Sequence, residues 1–224
     1  MPSVSLNGDT LRLLANNSSR GELKNVLDGF QRPNRSLTRE QVAIVLGQWF
    51  HPLHYFPIFL SRMISVSPGI EVQTQISRIL WQELGEGDSK MSHERIYIST
   101  MTDAGFSYAD TASAAPFGDT QDLIEGYRQA SESYFAGLGF MYGTEVADLH
   151  MVSTIGKLVR QCSNKKELPW VDIHVKQEPS HVESSKNTLI PPYCEGEQKE
   201  IVSGAERMWI LWTNFFRKIE AVIG

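Results

Sequence analysis

Apolar positions recur at helical spacing along most of the chain, so the sequence predicts helices nearly throughout. The first strong segment, SLTREQVAIVLGQWF at residues 36–50, opens with a capping box in which Thr38 is followed three residues later by Gln41. Apolar residues then line one face of the predicted helix. Pro52 predicts a kink or an end to this helix, and the apolar segment HYFPIFLSRMI continues after it.

Turn residues divide the rest of the chain into further helices. The tripeptide SPG at 67–69 opens one helix and the glycines of LGEGD close it, whereas Ser92 and Gly105 bound the next. A small-residue loop, ADTASAAPFG, occupies residues 109–118. The alternating pattern typical of strands is almost absent. We predict further helices at residues 69–84, 92–106, 119–161, 168–189 and 196–223.

These elements predict an all-α fold, a single-domain bundle of about seven helices. The bundle is expected over residues 36–224, a length that can bury a substantial core without disulfides or metals. Residues 1–35 are rich in Ser, Asn and Gly in places. We predict that they form a partly irregular N-terminal extension with one short helix.

Composition limits the function. Hydrophobic residues make up 41% and charged residues 21% of the chain, and the net charge of −5 argues against nucleic acid as a partner. No apolar run approaches the roughly 18 residues of a membrane span, and the N-terminus lacks the order of a secretory signal. Cys162 and Cys194 are isolated, so they predict neither a disulfide framework nor a zinc clamp. We expect a cytoplasmic protein with free thiols.

Three side chains that can bind metal share one helix face in the segment VDIHVKQEPSHVES. His174, Glu178 and His181 are four and three residues apart, which places them within an arc of roughly 60° on a helix. Two interpretations follow: a metal site, or a polar face in contact with solvent.

Other helices carry ionisable residues in apolar surroundings. Glu83 ends the apolar segment ILWQE, His93 follows a short loop, and Glu145 is embedded in FAGLGFMYGTEVADLHMVSTIG. A buried carboxylate needs a cation or a donor, although Glu145 could instead cap a helix, lie at the surface or pair with a buried arginine. Together with the first three, these residues give the ligand count of a dinuclear iron site. Oxygen and imidazole ligands without a thiolate favour iron or manganese over zinc.

Four segments of the chain, taken together, resemble a known family. They are LTREQVAIVLGQWFHPLHYFPIFLSR, LWQELGEGDSKMSHERIY, YGTEVADLH and HVKQEPSH. The second segment is similar to the family's element of glutamate, glycine-rich turn and histidine, and the fourth to its His-x3-acid-x2-His signature; these two make a fairly specific pair. Over roughly residues 36–220 the chain resembles the haem-oxygenase-like diiron oxidases and oxygenases, relatives of the TenA and PqqC helical bundles.

The resemblance implies a haem-oxygenase-like fold, a homodimer and a pair of Fe²⁺ ions per chain, with O2 as co-substrate and an external electron donor as a further candidate partner. It also implies that six residues are the metal ligands and that the three carboxylates among them are catalytic: Glu83, His93, Glu145, His174, Glu178 and His181.

The sequence departs from the family pattern at three positions. Glu178 stands where the family usually has Asp, and its longer arm is expected to change the bridging or chelating geometry. Pro179 follows directly and removes a helix hydrogen bond at a cost of roughly 3 kcal/mol, so it either re-aims Glu178 or is tolerated at a mild kink. Ile155 replaces a lysine that one para-aminobenzoate-forming member uses, which argues against a self-sacrificing reaction.

The family activities leave several substrates open. Polar residues on the predicted core helices favour a small amino acid or amine that undergoes oxidative desaturation, carbon–carbon scission or N-oxygenation. The predicted substrate-binding residues are His51, His54, Tyr55, Asp148 and Trp170, although the two histidines beside Pro52 could simply satisfy backbone groups. The alternatives are a fatty-acid decarboxylase that forms a terminal alkene, or a metal-free TenA-like hydrolase or scaffold. Neither Cys162 nor Cys194 is well placed as a hydrolase nucleophile.

Overall fold

The computed structural model describes residues 7–32 and 36–224. Within these residues there is no strand, and the chain forms nine α-helices of nine or more residues, one five-residue helix (α6) and a short 3-10 helix at Ser89–Met91. The all-α prediction is confirmed, but the predicted number of helices, about seven, is too low. The helices are α1 Asn7–Ala15, α2 Ser18–Phe30, α3 Arg39–Val66, α4 Ile70–Glu83, α5 His93–Asp103, α6 Tyr108–Ala112, α7 Gly118–Ala130, α8 Tyr134–Cys162, α9 Pro169–Asn187 and α10 Glu195–Ile223.

The predicted capping box begins α3. The Thr38 hydroxyl accepts from the backbone N–H of Gln41, and the Gln41 side chain accepts from the backbone N–H of Thr38. The helix does not end at Pro52. It is 28 residues long and contains both Pro52 and Pro57. Packing against α4, α6, α7 and α8 outweighs the two lost hydrogen bonds.

Three other elements differ from the sequence prediction. The expected single helix over 119–161 is two helices, because the chain turns at residues 131–133 and Ser133 caps α8. The expected loop at 109–118 begins inside α6, which has a capping box between Ser107 and Asp110. The N-terminal region holds two helices, α1 and α2, both in contact with α10. The division into an extension and a domain at residue 36 stays a prediction.

Helix α8 lies at the centre of the bundle, and glycines allow it to touch α10 directly. A Cβ atom at Gly139 would lie 1.8 Å from the Ile201 carbonyl oxygen, and one at Gly204 would lie 2.1 Å from that of Ala136. No side chain fits between the two backbones at these points. The contact therefore fixes the position of α8, which carries Glu145 and Asp148.

Buried aromatic rings fill the space between α3, α9 and α10. The ring of Trp49 lies 5.1 Å from that of Trp212 and 5.9 Å from that of Trp170, measured between centroids. All three side chains are buried, and such ring pairs add to the stability gained by burial. Within the described residues, no helix is long and apolar enough to cross a membrane.

Candidate metal centre

All six predicted ligands meet in the interior of the bundle. Glu83 is the last residue of α4, His93 is the first residue of α5, Glu145 lies in the middle of α8, and the other three lie on α9. No ligand is more than 5% exposed. The predicted helix face on α9 is therefore buried, which excludes the interpretation as a solvent-exposed polar face. The buried α9 residues are His174, Glu178 and His181.

A tight turn between α4 and α5 brings Glu83 and His93 together. Gly85, Glu86 and Gly87 all have positive φ angles, of 87°, 55° and 97°. A Cβ at Gly85 would lie 2.2 Å from a backbone oxygen, so this position requires glycine. The turn leaves Glu83 Oε2 only 3.0 Å from His93 Nδ1.

His181 lies at the centre of the cluster. Its Nδ1 atom is 3.5 Å from Glu145 Oε2 and 3.8 Å from a carboxylate oxygen of both Glu83 and Glu178. The rings of His93 and His174 are 4.6 Å apart. Donor atoms from Glu145, Glu178 and His181 lie within 4.8 Å of one another, a spacing that can hold a metal ion.

Hydrogen bonds orient two of the imidazoles. His93 Nε2 donates to the Gln177 side-chain oxygen at 2.8 Å, and His174 Nδ1 donates to the Trp170 carbonyl oxygen at 2.7 Å. The proton of each neutral ring is then on the bonded nitrogen. His93 Nδ1 and His174 Nε2 consequently keep lone pairs that can bind metal.

Burial and charge shift the pKa values of the cluster in opposite directions. Burial raises the pKa of Glu145, and it raises that of Glu178 well above its usual range with help from the Asp148 and Glu145 carboxyls. Burial and the charge of His93 lower the pKa of His174 to about 3. Burial alone would raise the pKa of Glu83, but the neighbouring His93 outweighs it and lowers the value to about 2.

Several buried polar atoms of the cluster have no partner within the described residues: Glu145 Oε1, Asp148 Oδ2, Glu178 Oε1 and His181 Nε2. Buried polar atoms without a partner are costly, so several of them in one place favour the binding of a cation. The donors are carboxylate oxygens and imidazole nitrogens without a thiolate, which suits iron or manganese. The residues therefore fit a non-haem iron site.

A small cavity of about 30 Å³ adjoins the cluster. Its volume has room for about one or two water molecules. Six of the twelve lining residues are aromatic or aliphatic, and the others are Thr144 and acidic or imidazole side chains. The lining residues are Trp49, Pro52, Leu53, Phe56, Glu83, Tyr127, Thr144, Glu145, Asp148, His174, Glu178 and Trp212.

Of the five predicted substrate-binding residues, Asp148 lines this cavity and the others do not. His51 Nε2 donates to the Ala114 carbonyl oxygen at 2.9 Å, and the exposed His54 pairs with Glu94 at 2.6 Å. Tyr55 is half-buried with its ring 6.4 Å from that of Tyr127, and Trp170 packs behind the His174 ring. Their roles in substrate binding stay predictions.

Sequence reasoning did not find the residues that complete the cavity. Tyr127 donates to or accepts from the Thr144 hydroxyl at 3.3 Å, and Trp49 and Trp212 face the same space. Gln177, which orients His93, was also missed. Only Gln177 has a sequence signal: it lies three residues after His174, next to Glu178 on the ligand-bearing helix.

The helical arrangement is shared with solved structures of the haem-oxygenase-like fold. A CADD-like protein of unknown function from Nostoc punctiforme has a TM-score of 0.79 at 16% identity, covering 98% of this chain and 97% of that one. A domain of unknown function with a heme oxygenase-like fold from Shewanella denitrificans has a TM-score of 0.69 at 18% identity, covering 96% and 88%. A TenA homolog from Pseudomonas syringae pv. tomato has a TM-score of 0.73 at 13% identity, covering 95% and 93%. These similarities show the fold.

The assignment of the chain to a family rests on sequence similarity rather than on the shared fold. A family model described as "iron-containing redox enzyme" matches residues 43–213, and the chain belongs to this family. The matched residues include all six predicted ligands and the cavity. No curated protein matches the chain significantly. The predicted family and fold are thus confirmed, and iron is the metal that the family description supports.

Proposed function

We propose that the protein is a non-haem diiron oxidase or oxygenase that activates O2 and acts on a small amino acid or amine. The observation that carries this proposal is the buried cluster of three imidazoles and three carboxylates with unpaired atoms. The family description supplies iron as the metal.

Two ions suit this cluster better than one. Three imidazole nitrogens and six carboxylate oxygens offer more donor atoms than one octahedral ion can use. If two ions bind, carboxylates shared between them would take up the excess donors. Glu83, Glu145 and Glu178 each have a carboxylate oxygen within 3.8 Å of His181 Nδ1, so all three are candidates for this shared role.

When bound, ferrous iron supplies the electrons that activate O2. The contribution of the protein chain is to position the metal and the substrate and to shield them from bulk water. Phe56, Leu53 and Trp212 form an apolar wall beside the ligands, which keeps bulk water out of the cavity. Glu83, Glu145 and Glu178 hold the metal and can accept protons, so the catalytic role predicted for them fits this arrangement.

The cavity supports a small, charged substrate. Among the described residues, the indole N–H groups of Trp49 and Trp212 have no well-aligned acceptor, although Trp212 lies beside the Tyr127 hydroxyl. Both side chains are at most 3% exposed and line the cavity, so they can donate to a substrate carboxylate. The rings of Phe56 and Tyr127 can contact an ammonium group through cation–π interaction.

The size of the cavity favours a small substrate over a fatty acid. At about 30 Å³ it must expand even for an amino acid, and a long acyl chain would displace far more of the core. The hydrolase alternative requires a cysteine nucleophile, and no cysteine is among the described residues that line the cavity. Cys162 is half-buried and donates to the Leu158 carbonyl oxygen, and Cys194 is exposed at the start of α10.

Anaerobic titration with Fe²⁺ tests the proposal. We expect metal-free protein to bind two Fe²⁺ ions per chain, and the loaded protein to consume O2 faster when the right amino acid is added. An oxygen electrode and a panel of amino acids, amines and fatty acids measure this. Omitting or adding a reductant tests the predicted external electron donor, and the mass in solution tests the predicted homodimer.

Two variants make the titration specific. His174→Ala removes one ligand, so we expect it to lose iron and O2 consumption. Glu183→Gln removes one negative charge from the exposed side of the same helix and should behave as the wild type. One tightly bound ion per wild-type chain, or O2 consumption that survives in His174→Ala, would contradict the proposal.

A further inference from the structure

We propose that Asp148 is a fourth carboxylate ligand, which binds the second metal ion together with His174. This inference rests on the diiron function proposed above. It replaces the sequence-based interpretation of Asp148 as a substrate-binding residue.

The position of Asp148 on α8 places it in the cluster. It follows Glu145 by three residues, so the two carboxylates project from the same helix face. Asp148 Oδ2 is 3.8 Å from His174 Nε2. This is the nitrogen that keeps its lone pair, because His174 Nδ1 donates to the Trp170 carbonyl oxygen.

The surroundings of Asp148 call for a cation. Its side chain is 16% exposed, and Oδ2 is buried without a hydrogen-bond partner among the described residues. Its nearest basic group among the described residues is the His174 ring at 3.8 Å, which is neutral at pH 7, and the Glu178 carboxyl is also next to it. Two adjacent buried carboxyl groups with no lysine or arginine among the described residues to neutralise them cannot both ionise at low cost unless a metal ion joins them.

This assignment divides the cluster into two halves. Glu83 and His93 form one half, in contact at 3.0 Å, and Asp148 and His174 form the other. Glu145, Glu178 and His181 lie between them. Each half then has one imidazole and one carboxylate of its own, which explains why the cluster holds one carboxylate more than the sequence predicts.

Cobalt(II) is the probe for this inference, because its visible absorption depends on the number and type of ligands. Metal-free wild-type protein is titrated anaerobically with Co²⁺ and followed by absorption and calorimetry. We expect two ions per wild-type chain. For Asp148→Asn we expect the second ion to bind about 100-fold more weakly or not at all, because even an indirect partner of a metal ligand is worth roughly 10- to 100-fold. The visible spectrum should change as well.

Asp148→Glu and Glu183→Gln complete the experiment. Asp148→Glu keeps a carboxylate, so we expect two ions with a shifted spectrum. Glu183→Gln removes an exposed charge from α9, and should leave both affinity and spectrum unchanged. A change of charge alone would weaken binding in Asp148→Asn without altering the spectrum.

The outcomes separate the two proposals. If the wild type binds a single ion, the diiron function fails regardless of Asp148. If the wild type binds two ions and Asp148→Asn does the same with unchanged affinity and spectrum, Asp148 is not a ligand. Asp148→Asn should fold, because it removes a buried unpaired charge, and the circular dichroism spectrum and Tm of the metal-free variant check this.

Discussion

At the residue scale, His181 is a positively charged group at the centre of the metal-free cluster. Burial by itself lowers its pKa, but the nearby carboxylates, Glu145 first, raise the value to about 9. The ring is therefore an imidazolium at neutral pH, with Nδ1 within 3.8 Å of three carboxylates. A metal ion replaces this proton, so metal binding releases protons and strengthens as the pH rises.

The stability of the metal-free protein should therefore depend on pH. A histidine whose pKa is raised by folding stabilises the native state fully below its unfolded pKa of about 6.5, and this contribution is lost as the pH rises through about 9. We expect the free energy of unfolding to fall by on the order of 3 kcal/mol between pH 6.5 and pH 9.5. Urea denaturation in the presence of a chelator measures it.

His181→Gln is the control for this pH dependence. It removes the titrating group, so most of the decrease between pH 6.5 and pH 9.5 should disappear. The raised pKa values of His93, Glu145 and Glu178 act in the same direction as that of His181 and leave a smaller residual slope. An undiminished decrease in His181→Gln would show that the pH dependence arises elsewhere.

The sequence identified the residues of the buried cluster better than it identified the cavity residues, and the reason is physical. His174, Glu178 and His181 are joined by helix periodicity, which is local and can be read directly. Glu83, His93 and Glu145 needed the family resemblance as well. Trp49 and Trp212 meet at the cavity only because α3 and α10 pack together. No spacing within one segment encodes that contact, and an aromatic residue on a helix face predicts core packing equally well.

At the element scale, α9 continues through Pro179, which is exposed. Pro179 cannot donate to the Val175 carbonyl oxygen, so Pro179→Ala should restore a helix hydrogen bond and stabilise the protein by up to about 3 kcal/mol. We also expect weaker metal binding, because a more regular helix re-aims Glu178. Chemical denaturation and Co²⁺ titration measure the two effects.

Unchanged metal affinity in Pro179→Ala would show that the proline is merely tolerated. Lys176→Ala is the control, because Lys176 is also exposed on α9.

The close contact between α8 and α10 predicts that a larger residue at Gly139 destabilises the protein. Gly139→Ala places a Cβ against the Ile201 backbone, which cannot move aside as a side chain would. We expect a loss of about 1–3 kcal/mol or more in the free energy of unfolding.

Gly21→Ala is the matched control for Gly139→Ala, because it lies in α2 with nothing within 4 Å of the added Cβ. It should instead stabilise the protein by about 0.5–1 kcal/mol. Equal effects of the two substitutions, measured by urea denaturation, would contradict the role assigned to the helix contact.

The sequence predicts helix boundaries correctly where a capping residue close in sequence sets them. The prediction fails where tertiary packing determines where a helix ends. Thr38 and Ser92 cap their helices as the sequence predicts. Pro52 does not end α3, which was one of its two predicted effects, because the many contacts of this helix hold it together across the proline. The break before α8 was missed, since Ser133 is a cap only if the chain turns there, and nothing in the apolar pattern requires the turn.

At the scale of the whole molecule, the candidate metal site joins four helices. Its predicted ligands lie at the end of α4, at the start of α5, in the middle of α8 and on one face of α9. Without metal, these helices hold mutually repelling carboxylates together in the core. Metal should therefore stabilise the entire fold rather than one loop, because every ligand helix is lost when the protein unfolds.

Thermal unfolding with and without metal tests this coupling. Free Fe²⁺ under anaerobic conditions at about 100 times its Kd should add about 2.7 kcal/mol for each ion bound, which corresponds to a rise of roughly 5–10 °C in Tm per ion. A chelator should reverse the rise. In Glu145→Gln, which removes a central predicted ligand, the rise should shrink, and the metal-free variant should be less stable than the wild type, because Glu145 is the carboxylate nearest to the His181 imidazolium, at 3.5 Å. An equal rise in Glu145→Gln would mean that the stabilising ion binds outside the buried cluster.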